Sequence, residues 1–450
     1  MRQLPAIEPA AWLTEYLDAA EEFDVEHHGL LTNHLTHGLI ALGSTGASRD
    51  DADVFWRRYL GELDEPHPRH AGGPEPALEA TDLQIGADNW HEFINDKRRH
   101  HGDLRRFFRN ELDREGVSRV VATNLPPLVP GLAGGALHPL IHCGLAIEAA
   151  NSAMLADGLA YMATMQQRLG VGSGPDSPST WRAGEPNLVE ATLTALTAAR
   201  DSGLPQISFD AALTAEYLRT GRGLFQQRIM AFNDDALPLG RWLDALEPPT
   251  QPGLGEDLTP AIEQAVLVAA AAFRASSCEF FVLHALTSLH SLLVVMPMLA
   301  EDDRRVALAH WWRAAVATMV SQDAPGLEDL ENLIGERHES NVDWVELHLA
   351  ARPSHDEHVQ KAVFSLWRWA SSGMFTPSTV DLCAAAAKHA VRATPSGRVH
   401  DNVWFAWSGV GPPGEQSGVG PPGEQSGEGP PEEQSGEGPP EEQSGEGPPI

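Results

Sequence analysis

Five histidines interrupt stretches that are otherwise apolar and helical in period. They are His34 in LLTNHLTHGLIAL, His138 and His142 in GGALHPLIHCGLAIE, His284 in FFVLHALTSLH and His358 in HDEHVQKAVF. A buried imidazole needs a polar partner, and for any one of these residues a backbone carbonyl suffices. Together they pose the same problem several times, and one metal ion bound by neutral imidazoles solves it once. Iron, copper and zinc all take such ligands. His138 and His142 stand at i, i+4, within reach of one ion. Pro139, however, puts His138 at the helix start, where it approaches from a different direction than His142. Lys361 follows His358 by three positions, on the same helix face. Its ordinary roles are a snorkelling side chain or a salt bridge to Asp356 or Glu357. In a dry site, desolvation lowers the pKa of a lysine amine. The neutral amine can then add carbon dioxide to become a carbamate, which is chemically a carboxylate and would complete a histidine-rich shell.

These residues must be held by helices. The 450-residue chain is 42% hydrophobic, enough for a large core. Helical periodicity dominates 136–168, 259–299, 301–320, 358–371 and 378–391, and alternating valine-rich runs are nearly absent. The expectation is one large all-α, helical-bundle-like domain over residues 1–410, with a soft division near 171–188. Loops are expected at 66–75, 171–188 and 247–259. From Gly411 the sequence repeats with a period of nine (GPPGEQSGV, GPPEEQSGE), with isolated apolar side chains and no aromatic residue. The 411–450 tail is expected to be disordered. Ser417 and Ser426 break the every-third-residue glycine of a collagen helix.

Charge and composition exclude several functions. Of the formal charge of −32, nine charges are tail glutamates, which leaves −23 on the body. Nucleic acid and anionic membrane are poor partners for such a surface. The segment 280–300 has the length of a membrane span. It also holds His284, His290 and Pro297 between charged flanks, and reads as a buried core helix. Cys143, Cys278 and Cys383 form no CxxC, which argues for a reducing compartment and against thiolate metal ligation. The first 23 residues carry no apolar leader core, so a cytoplasmic location is expected. GVGSG at 170–174 follows a helix rather than a strand, and no GxxxxGK[ST], GxSxG or HExxH occurs.

Several segments, taken in order, resemble the questin oxidase-like family. They are HHGLLTNHLTHGLIALGSTGA, the stretch from Trp90 through RRFFRNELDREGV, PGLAGGALHPLIHCGLAIE with ADGLAYMA behind it, FFVLHALTSLH and SHDEHVQKAV. The resemblance spans roughly residues 1–407, and GGALHPLIH and HDEHVQK are its most specific pieces. It implies oxygen-dependent cleavage of a ring in an anthraquinone-type or other aromatic polyketide. That activity is described as Baeyer–Villiger-like, with NADPH as reductant and no flavin. The family also includes an iron(II)-dependent ring-cleaving oxygenase with four histidines and a carbamylated lysine around the metal. Position by position, the resemblance implies His34, His138, His284 and His358 as iron ligands, with Lys361 as the carbamate. His37 departs from the pattern, standing where an apolar residue is expected and leaving the ligand choice near it open, and the repeat tail has no counterpart.

On this reading a ferrous ion keeps one position for molecular oxygen or a substrate oxygen. His142 and Glu148, further along the helix of His138, are expected to orient ligands or act as acid–base groups, and Asn33 to serve likewise. Trp90, Trp367 and Trp369 are candidate walls of an apolar substrate pocket. Three other readings stay open. One is a metal-free, NADPH-dependent monooxygenase with acid–base histidines. Another is a non-enzymatic helical scaffold with structural histidines. The third is a zinc hydrolase with three ligands, a water and a base such as Glu148.

Overall fold

The computed structural model describes residues 3–27, 31–61, 63, 84–96, 99–170, 187–203, 225–233, 238–246, 257–276, 280–321, 326–338, 342–354 and 356–393. Most of the three expected loops, the repeat tail, Cys278 and residues 171–174 of GVGSG lie outside these residues.

The fold is all-α, as the periodicity predicts. In chain order the elements are α1 (Leu13–Ala20), β1 (Glu26–His27), β2 (Leu31–Thr32), α2 (Leu35–Ser44), α3 (Arg49–Leu60), α4 (His101–Glu115), α5 (Val117–Asn124), α6 (His138–Glu148), α7 (Ser152–Thr164), α8 (Leu188–Ser202) and α9 (Phe225–Met230). They continue with α10 (Pro238–Ala245), α11 (Thr259–Ala275), α12 (Phe280–Val295), α13 (Glu301–Val320), α14 (Leu327–Gly335), α15 (Trp344–Ala351), α16 (Glu357–Ala370) and α17 (Pro377–Ala393). The two short strands pair antiparallel, Glu26 opposite Thr32 and His27 opposite Leu31.

α12 is the centre of the bundle. A helix apolar all round must bury every face, and α12 packs against α6, α11, α13 and α16. The membrane-length window Phe281–Met298 is 83% buried within the protein, so it is a core helix. Its hydroxyls find partners inside the bundle. Trp311 Nε1 of α13 donates to Ser288 Oγ at 3.2 Å, and Ser291 Oγ donates to the Ile141 carbonyl of α6 at 3.2 Å. α6 can come this close because residue 144 is glycine. A Cβ there would sit 2.3 Å from Ser291 Cβ.

The stretch 136–168, helical in period throughout, is broken in the structure. A 3-10 turn (Gly134–Leu137) precedes α6, and Ala150 (φ 52°) ends the run before α7. Asn151 then caps α7, its side chain accepting from the Met154 N–H at 2.8 Å. These turns let His138 begin a helix instead of lying within one.

Candidate metal centre

Three of the four site histidines, His34, His138 and His358, are set by local devices at helix starts; His284 lies in the second turn of α12. Before α2, Asn33 accepts from the Leu35 N–H at 2.9 Å and donates to the Asp24 carbonyl at 2.9 Å. His34 is the N-cap residue, and its backbone N–H donates to Tyr59 Oη of α3 at 2.7 Å. Before α6, Gly135, Ala136 and Leu137 all adopt left-handed φ (54°, 55° and 70°). For the two non-glycine residues this costs roughly 1–2 kcal/mol each. The turn brings the Gly135 carbonyl 2.7 Å from His138 Nδ1. Before α16, Asp356 accepts from the His358 backbone N–H at 2.9 Å and from His358 Nδ1 at 2.6 Å. One carboxylate thus starts the helix and orients the ring.

The four rings come together. Centroids are 4.8 Å apart for His34–His138 and His34–His358, 4.5 Å for His138–His284 and 6.3 Å for His284–His358. All four residues are buried. His34 Nδ1 donates to Glu357 Oε1 at 2.8 Å. In His34, His138 and His358, Nδ1 therefore carries the proton and donates outward, to Glu357, the Gly135 carbonyl and Asp356. Each Nε2 is then the lone-pair nitrogen. Metal-binding histidines are held in this way.

Two further distances test the fit of a metal. Nε2 of His34 is buried with no hydrogen-bond partner among the described residues. Nε2 of His138 and Nε2 of His284 lie 3.0 Å apart, and two cis ligands of an octahedral ion at about 2.1 Å are separated by about 3.0 Å. Without an ion, a His284 N–H satisfies the lone pair of His138 at this distance. Ligand atoms of His34, Glu357 and His358 also lie within 4.8 Å of one another. Glu357, however, already accepts the Nδ1 proton of His34, so it is an outer partner of the rings. The donor set of neutral imidazoles suits iron, copper or zinc.

Electrostatics keep His34, His138 and His358 neutral. Burial first, then the charge of Lys361 and the neighbouring imidazoles, hold His34 and His138 well below the ordinary histidine range. Burial and Lys361 push His358 down to about 3 against the pull of Glu357.

Lys361 is 3% exposed, so it does not snorkel. Among the described residues it makes no ion pair or hydrogen bond; Asp356 and Glu357 are occupied by His358 and His34. Burial pushes its amine down to about 8, although both carboxylates pull it up.

The other sequence-predicted residues lie elsewhere. His142 does not join the four rings. Its Nδ1 lies 3.0 Å from His37 Nε2, and His37 stacks on His34 at 5.3 Å. With that nitrogen engaged by His142, His37 is the neighbour of His34 and His34 the member of the cluster. Burial pushes His142 down to about 4. Its Nε2 is buried with no hydrogen-bond partner among the described residues, and His142 is one of the residues lining a shallow cleft with Leu17, Phe23, Asn33, Arg105 and Asp157. Glu148 sits ten residues along α6 from His138, about 15 Å at the helical rise, and pairs with His290 and Arg368. Trp90 packs on Phe107 and Phe108, Trp369 is core, and Trp367 packs on His348; none lines the cleft. Cys143 and Cys383 are buried free thiols whose pKa burial raises.

Sequence reasoning missed Asp356 and Glu357 as ring anchors. The signal was present in HDEH, where an aspartate two residues before a helical histidine is in N-cap position.

Residues 31–366 match the questin oxidase-like family. The chain belongs to that family. A Baeyer–Villiger oxidase of Pestalotiopsis microspora is 25% identical over 354 residues, covering 74% of this chain and 75% of its own length. The questin oxidase-like span contains the four clustered histidines, Lys361, Asp356 and Glu357; the repeat tail and α17 follow it.

Proposed function

We propose that this questin oxidase-like protein is an oxidoreductase that uses molecular oxygen to open a ring of an aromatic polyketide of anthraquinone type. The reaction runs at a non-haem iron(II) centre held by His34, His138, His284, His358 and carbamylated Lys361. Family membership and the Baeyer–Villiger oxidase relative support an oxygenase. The observation that carries the metal is the shared orientation of three rings, with Nδ1 protons donated outward and Nε2 lone pairs left for the ion.

The chain's own residues do the following. Glu357, Asp356 and the Gly135 carbonyl fix the tautomers. The starts of α2, α6 and α16 converge at the cluster, and their positive ends favour negative charge there, such as a carbamate or a phenolate. The neutral Lys361 amine attacks the carbon of carbon dioxide and releases one proton to solvent, giving the carbamate. His142 holds His37 in place beside His34, steadying the ring next to the cluster. Ferrous iron, when bound, supplies the one-electron chemistry that dioxygen requires. Cleavage that keeps both oxygen atoms needs no external electrons. Insertion of one atom needs two, for which NADPH is the reductant.

The test is elemental analysis of anaerobically purified protein, with oxygen uptake on a hydroxylated anthraquinone measured with and without NADPH. Near-stoichiometric iron and uptake matched to ring-opened product are expected. Full NADPH-dependent turnover by metal-free protein would move the chemistry to a metal-free monooxygenase. Folded protein with neither metal nor turnover would favour a scaffold.

A further inference from the structure

The helices that carry His138, His284 and His358 meet a second time. All three start at the histidine cluster and run away from it in the same sense. Further along, Glu148 of α6, His290 of α12 and Arg368 of α16 form a closed group. His290 Nε2 donates to Glu148 Oε2 at 2.9 Å, and Arg368 Nε donates to Glu148 Oε1 at 2.8 Å. Arg368 Nη2 lies 2.8 Å from the same oxygen and donates to the Pro5 carbonyl at 2.6 Å. The side chains of His290, Glu148 and Arg368 are 1%, 4% and 5% exposed.

No acid–base role reaches the cluster from there. A buried carboxylate–guanidinium pair is weak evidence for stability, because desolvating the charges offsets most of their attraction. Its best attested effect is on register. If α6 slipped past α16 by one turn, about 5.4 Å, a full charge would be left unpaired in the interior, which is strongly disfavoured. Contacts within the histidine cluster are between rings rather than full charges, so a slip there strands no buried ion pair. Three rods pinned at the far point hold a fixed spacing at the near one.

We propose that Glu148, His290 and Arg368 form a positioning clamp that sets the axial register of α6, α12 and α16, and through it the 3.0 Å Nε2···Nε2 spacing of His138 and His284. Its functional consequence rests on the metal-centre reading above. The registration itself does not.

The test separates register from stability. Glu148→Gln and Arg368→Met each leave one partner without its charge complement. The triple variant Glu148→Leu, His290→Leu, Arg368→Met removes the charges together, a change that buried ion groups often tolerate without loss of stability. Melting temperature and cobalt(II) affinity of the metal-free protein are measured for each. The single variants are expected to lose both. The triple variant is expected to recover a parent-like melting temperature while binding cobalt at least tenfold more weakly than the parent. Parent-like cobalt affinity in the triple variant overturns the clamp and makes the group merely structural. If the triple variant does not fold, Arg368→Lys is compared with Arg368→Met below both melting temperatures. Rescue of affinity by lysine supports the clamp, and equal affinities overturn it. If the parent itself binds no cobalt, the metal reading fails, and crystal structures of parent and triple variant decide the clamp. A displaced His138–His284 pair supports it, and an unchanged pair overturns it.

Discussion

Across the interface of α6 and α12, His138 and His284 face each other Nε2 to Nε2 at 3.0 Å. The Nδ1 proton of His138 is spent on the Gly135 carbonyl, so its Nε2 offers a lone pair. A hydrogen bond from His284 or a shared ion satisfies that contact, and His34 and His358 approach it from α2 and α16. The partnerless Nε2 of His34 favours the ion.

The outer carboxylates are expected to matter nearly as much as the rings. Glu357→Gln and Asp356→Asn should weaken iron(II) binding about 10- to 100-fold. Asp356→Asn retains an N-cap acceptor, so its melting temperature should stay close to the parent's, whereas Asp356→Ala should also lose about 1 kcal/mol from the start of α16. Metal titration and thermal melts measure the two effects separately.

His34 and His37 are predicted to differ. His37 Nε2 is engaged by His142, so His37→Leu should keep stoichiometric iron. His34→Leu should lose it. Elemental analysis of the two variants distinguishes them.

Gly144 lets α6 lie against Ser291. Gly144→Val forces the helices apart or leaves the side chain overpacked, at a cost of roughly 1–3 kcal/mol or more. Because the same interface spaces His138 and His284, metal binding should fall further than stability. Urea unfolding and metal titration of one preparation provide the comparison.

The metal-free protein should be acid-sensitive. His358 and His142 are pushed down to about 3 and about 4 by burial, and their ordinary value is 6.5. Below pH 6.5 the unfolded chain binds protons that the folded chain refuses, so stability falls as pH falls. Each such histidine contributes about 1.4 kcal/mol per pH unit between its two values. Urea midpoints at pH 7.5 and pH 5 should differ in that direction.

Lys361 acts in the same direction over a higher pH range. Its amine is pushed down to about 8 from 10.5. Burying the charged form costs stability below pH 8, and that cost is relieved as pH rises from 8 to 10.5. The neutral amine is the form that adds carbon dioxide, so carbamate formation should increase as pH passes through 8. Carbon-13 NMR with labelled bicarbonate should show a carbamate signal in the parent and none in Lys361→Ala.

Much of the fold is legible in the sequence because long apolar runs without strand-forming alternation leave only helices. α13 and α16 follow their periodic segments within a residue. The break at Ala150 was hidden, since a left-handed alanine has no composition signal. The site histidines are visible because each interrupts an apolar run. Which nitrogen faces inward was not, since it depends on the left-handed turn at Gly135–Leu137 and on carboxylates from another helix. Glu357 and Lys361 stand at i, i+4, where exposed residues would pair. In the structure His34 of α2 takes the carboxylate, a long-range contact that spacing along one helix cannot reveal.

Anomalous diffraction at the iron edge, on crystals of anaerobically purified protein, tests the central claim most directly. One iron peak is expected among the Nε2 atoms of His34, His138, His284 and His358, with density joining it to Lys361 through a carbamate. A cluster with no peak in protein that is otherwise active would contradict it.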